Sequence, residues 1–234
     1  MLFGVDPWEV QVIKLFLPSV TAELEVRAEH ERALVAKAWN TLWDMVLIGG
    51  LFNCETSFNI QSNVSAEDYG PAAELMLTNF HFRGLVPKKP RAQLTEDDVV
   101  WLEANVERSR SLLPQMQYCD ALHALASYRW HPNPRIQLAV LWAGIEGLFR
   151  VDTEQTFRLS LYVARFLSPG DDAERLRLFR ATKVLYRRRS EAVHGTEIKG
   201  VAHDHVRESA DLLCRLVKQC IAAGAIPDAE ALAP

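Results

Sequence analysis

Apolar residues return every three or four positions through residues 19–47. Leu24, Ala28, Ala33, Val35, Ala36, Trp39, Leu42, Trp43 and Val46 mark the stripe, which predicts a helix. Gly49 and Gly50 are expected to end it. Between Leu51 and Gln61 the pattern loosens towards alternation and reads as a short strand. Residues 62–94 hold Gly70, Pro71, Gly84, Pro87 and Pro90, the composition of a linker or an irregular insertion. A cleaner series follows. Thr95, three residues before Asp98, predicts a helix start through a capping box in which Asp replaces the preferred Glu. A second helix over 115–130 is closed by Pro132 and Pro134. Residues 135–150 are apolar nearly all round, which suits the middle of a bundle. A helix over 153–167 stops at Ser168-Pro169-Gly170. The next runs from 172 to 194, with Gly195 placed as its C-terminal cap. The last, over 203–223, lines up Val206, Leu213, Val217 and Cys220. The pattern therefore predicts a mainly α protein: a helical N-terminal segment over 1–91 with one short strand, a helical bundle over 92–225, and a frayed tail over 226–234.

Composition narrows the class. Hydrophobic residues make up 49% of the 234, enough for a core. The net charge of −4 means that any contact with nucleic acid must come from a local patch. Cys54, Cys119, Cys214 and Cys220 have no CxxC spacing, so they read as reduced, buried thiols of a cytoplasmic protein. No apolar run reaches the roughly 18 residues of a membrane span, and no membrane partner is expected.

One local patch stands out. Residues 173–189 hold Arg175, Arg177, Arg180, Lys183, Arg187, Arg188 and Arg189 against one acid, Glu174. Arg180, Lys183 and Arg187 share a face at steps of three and four. Such a run is either a solvated helix surface or a phosphate-binding stripe. Just beyond it, Arg189 is followed after four residues by His194 and then Gly195. A guanidinium forks two donors onto a phosphate, and an imidazole exchanges protons near neutral pH. On one straight helix the two side chains would diverge by about 140°. They meet only if the final turn unwinds at Gly195 or if two copies of the chain pool their pairs. Glu146, within an apolar helix, either orients Arg189 or His194 or lies at the bundle's edge. His203 and His205 lack companion ligands, so no metal is expected, and no motif calls for a cofactor.

Three stretches together resemble the HEPN domain, in particular its ApeA-like branch. They are Leu94-Thr95-Glu96-Asp97-Asp98 with Trp101-Leu102, Leu141 to Phe149, and Leu185 to Gly195. The resemblance covers residues 92–225 and implies a dimerising helical bundle with an Arg-x4-His motif. Members with that motif intact are often metal-independent RNases of toxin–antitoxin, abortive-infection or CRISPR-associated systems. Others have lost catalysis and bind nucleotides or partners. The resemblance implies catalysis by Arg189 and His194, with Glu146, Ser190 and Glu191 in support. Lys183, Arg187, Arg188 and Arg180 would guide RNA, and an antitoxin or sensor would be a partner. Many members carry Asn, Asp or His after the Arg, where this chain has Ser190. The competing expectations are a non-catalytic module that binds a nucleotide or a protein, and a purely structural oligomerising bundle.

Overall fold

A computed structural model describes residues 23–52, 60–68, 73–77, 94–151, 155–193 and 201–233. The expectations placed on His194 and Gly195, on Cys54, and on most of residues 62–94 lie outside these. By internal contacts the chain forms two compact units, one from residues 1–42 and 57–87, the other from 43–56 and 88–234.

In the first unit, residues 23–30 are not helical, and helix α1 (Glu31–Leu51) begins there. The helix therefore starts later than the periodicity from residue 19 predicts. Val35 and Trp39, on the expected stripe, are 65% and 62% exposed. A 3.6-residue period marks a face, but only a packed neighbour turns it into core. Strands β1 (Ile60–Ser62) and β2 (Leu75–Leu77) pair antiparallel, with Gln61 opposite Met76. Asn63 accepts a hydrogen bond from the Glu74 backbone at 2.9 Å.

The second unit is the helical bundle. The end of α1 belongs to it, and the helix runs through Gly49 and Gly50 rather than stopping there. Burial of Leu47 and Leu51 outweighs the helix-breaking tendency of the glycines. Helix α2 (Glu96–Leu112) opens with the predicted capping box: Thr95 accepts from the Asp98 backbone, and Asp98 accepts from Thr95. Helix α3 (Met116–Ser127) ends in one 3₁₀ turn over Tyr128–Trp130. Asn133 then caps α4 (Pro134–Phe149), with Pro134 in the first turn, where its missing N–H costs nothing. Helices α5 (Gln155–Leu167), α6 (Asp172–Val193) and α7 (Ala202–Ala223) complete the unit.

Helix α4 lies at the centre, against α3, α6 and α7. Leu138, Leu141, Trp142, Ile145, Leu148 and Phe149 are buried on it, as its apolar sequence predicts. Gly144 lets α3 come close: a Cβ there would lie 2.8 Å from that of Ala124. The predicted stripe on α7 is buried too, and Gly224 closes that helix in the left-handed conformation at φ 66. The tail does not fray as expected. Ile226, Ala229 and Leu232 pack on the core, and Arg165 donates to the Leu232 carbonyl at 2.6 Å. Three apolar residues at near-helical spacing have surface to bury, which the prolines alone did not reveal.

Candidate functional site

Helix α6 amphipathicity decides where its cations go. Leu178, Thr182, Leu185, Tyr186 and Ala192 are buried, so this side faces the bundle. Arg189 follows Tyr186 by three residues and emerges at the edge of that side. Its Nη2 donates to Glu146 Oε2 on α4 at 3.0 Å, and its guanidinium lies 5.6 Å from the centre of the Tyr186 ring. The Tyr186 ring meets Trp142 edge to face at 5.3 Å, and Trp142 Nε1 donates to Ser209 Oγ on α7 at 3.1 Å. Three helices thus fix one guanidinium. The side chains of Arg189 and Glu146 keep 22% and 28% of their surface exposed. The pair sits at the rim of the core, within reach of a solute.

The electrostatics follow from partial burial. Loss of water raises the Glu146 carboxyl above the ordinary carboxylate range, and Arg189 pulls it back. Burial likewise raises the Tyr186 phenol, Glu146 adds to the rise, and Arg189 opposes it. Glu146 Oε1 and Arg189 Nε make no hydrogen bond among the described residues. Both atoms are buried, so the contact uses one donor of the guanidinium fork and leaves a second without a partner among the described residues.

Arg188 was expected to guide a strand, but it is committed elsewhere. Its Nη1 donates to both carboxylate oxygens of Glu191, at 3.1 and 3.0 Å. Arg177 pairs with Glu174 at 2.6 Å, and Arg175 pairs with Asp172. Acids three residues away in the helix, or just outside the counted window, neutralise much of the apparent excess. Arg180, Lys183 and Arg187 differ: all three are exposed, and none has an ion pair among the described residues. Ser190 is half-buried beside Glu191.

Two contributors escaped the sequence reading. Tyr186, the support of Arg189, has a signal in its spacing of three residues. Arg135 has none. Its Nη1 donates to the carbonyls of Glu191 and Ala192 at 3.2 and 3.0 Å, satisfying acceptors that the end of α6 leaves open.

Cys119, Cys214 and Cys220 are free thiols, and burial pushes the Cys220 thiol up to about 12. Among the described residues no cluster of His, Cys, Asp and Glu could hold a metal ion, and no helix is long and apolar enough to cross a membrane.

The chain matches no protein-family model, and neither a curated protein nor a solved structure matches it.

Proposed function

We propose that this protein is an endoribonuclease of the HEPN type that needs no metal ion, acting in bacterial defence. The observation that carries the reading is Arg189, held at the bundle rim by Glu146 at 3.0 Å and by the Tyr186 ring, with His194 five positions on in the sequence. A preset guanidinium has little conformational freedom left to lose when it grips a phosphate. RNA brings its own nucleophile. The 2′-oxygen attacks phosphorus, the bond to the 5′-oxygen breaks, and the products are a 2′,3′-cyclic phosphate and a 5′-hydroxyl. Arg189 steadies the negative charge of the five-coordinate phosphorus. His194 takes the 2′-hydroxyl proton or supplies one to the leaving oxygen. DNA lacks the 2′-hydroxyl and should survive. Two copies of the chain would pool their pairs, and an antitoxin or sensor partner would hold the activity in check.

The test uses labelled single-stranded RNA in EDTA with the wild type, Arg189→Ala and His194→Ala. The wild type should cut, each variant should lose about a hundredfold or more, and DNA of the same sequence should remain whole. Mixing the two variants should restore part of the activity if sites are shared. Uncut RNA with the wild type, or variants as active as the wild type, defeats the reading.

A second reading has its own support. Arg180, Lys183 and Arg187 are exposed and without an ion pair among the described residues while Arg189 is engaged, as would suit a module that binds a nucleotide or a protein without cutting. Retained RNA binding without any cleavage would select it.

A further inference from the structure

Helices α5 and α6 together present an exposed aromatic ring beside cations that have no ion pair among the described residues. Phe157, near the start of α5, is 51% exposed. Phe179 of α6 holds its ring edge to face, with centroids 5.6 Å apart and planes at 75°. The ring is thus offered to solvent in a defined orientation. Arg180 directly follows Phe179, and Lys183 and Arg187 continue along the exposed flank. No acid lies on α5, and none lies on α6 between Arg175 and Ser190. The aromatic pair therefore begins a cationic row that runs about 12 Å along the helix axis to Arg187.

We propose that Phe157, backed by Phe179, is a nucleobase-stacking platform for single-stranded RNA whose phosphates follow Arg180, Lys183 and Arg187. The inference rests on the RNA reading above and adds the class of strand and the side chain that receives a base. An unpaired strand offers a negative charge at every nucleotide and a π face on every base, and a ring beside a cationic row binds both. Duplex RNA keeps its bases stacked on one another and hides them from the ring. Leu176 and Val184 are exposed among these cations, at 49% and 53%. An interfacial membrane helix segregates its apolar and cationic faces, whereas interleaving suits a strand in which bases and phosphates alternate.

The test measures binding of a short labelled RNA by fluorescence anisotropy, on the full chain carrying His194→Ala so that the RNA survives. Adding Phe157→Ala should weaken binding about tenfold, and Phe157→Trp should restore it. A duplex of the same sequence should not respond to either change. A nucleotide lacking its base, moved along the strand, should cost about tenfold at one position, and that cost should vanish in Phe157→Ala. Unchanged binding by Phe157→Ala overturns the proposal, as does the absence of any such position. Preference for anionic phosphatidylserine vesicles over RNA, lost with Phe157, also overturns it. The cleavage reading fails separately. In that case RNA stays intact in EDTA while binding still depends on Phe157; if RNA is cut and Phe157→Ala leaves KM unchanged, only the stacking platform fails.

Discussion

Arg187 and Arg189 lie two residues apart on α6 and occupy different media. Arg187 is exposed and unpaired among the described residues, whereas Arg189 is tucked against α4, bonded to Glu146 and resting on Tyr186. Two residues turn the helix by roughly 200°, so a contiguous arginine run is split between its two flanks. The outer flank adds to the field that an approaching anion feels. On the inner flank, loss of the cation would strand a carboxylate already deprived of much of its water. A charge count along the sequence sums both kinds, but only the fold tells them apart.

The sharpest way to break this contrast is Tyr186→Ala. It removes a buried ring that touches both Trp142 and the Arg189 guanidinium, and should cost about 3 kcal/mol in urea unfolding. A loss within experimental error would mean that the inner flank is not built around Tyr186.

Next in size is Arg189→Leu, expected to cost about 1–2 kcal/mol at pH 7, a figure kept small because the pair is partly solvated. Its pH dependence has a definite sign. Burial holds the Glu146 carboxyl above its unfolded value, and without Arg189 it rises further. A raised carboxyl destabilises the folded state while ionised, so the penalty is present at neutral pH. It fades as pH falls through the folded-state titration to the ordinary carboxylate range. Adding Glu146→Gln should recover most of the loss. An equal penalty at pH 4 and pH 7 would assign the effect to packing instead of charge.

The smallest effects belong to the outer flank. Arg180→Ala, Lys183→Ala and Arg187→Ala should each shift stability by less than about 0.5 kcal/mol. If the row holds RNA, each should lower the slope of log affinity against log salt by about 0.7. A stability loss comparable to that of Arg189→Leu would erase the distinction between the flanks.

The sequence made much of the bundle legible where the determinants are local. Thr95 and Asp98 form a capping box whose members stand three residues apart, and Pro132, after the end of α3, and Pro134, in the first turn of α4, act only on their neighbours. The apolar stretch around Trp142 announced a central helix for the same reason. The pairings of Arg188 with Glu191 and Arg177 with Glu174 were also within reach at three-residue spacing, though a bare count of charges passed over them. The contact of Arg189 with Glu146 spans 43 positions, and its donor could not be chosen from the sequence before the helices were packed. The hold of Arg135 on the end of α6 depends on packing in the same way. Gly49 and Gly50 were misread because tertiary burial overrode a local preference.

The close approach at Gly144 sets a rule for anyone wishing to make this bundle resist heat. Swapping a helical glycine for alanine usually gains up to about 1 kcal/mol. Position 147 is open to that swap, since nothing stands within 4 Å of the added carbon. At position 144 the same methyl would run into Ala124 and wedge α3 away from α4. Three residues apart on one helix, one glycine is spare room for engineering and the other is the hinge pin of the assembly.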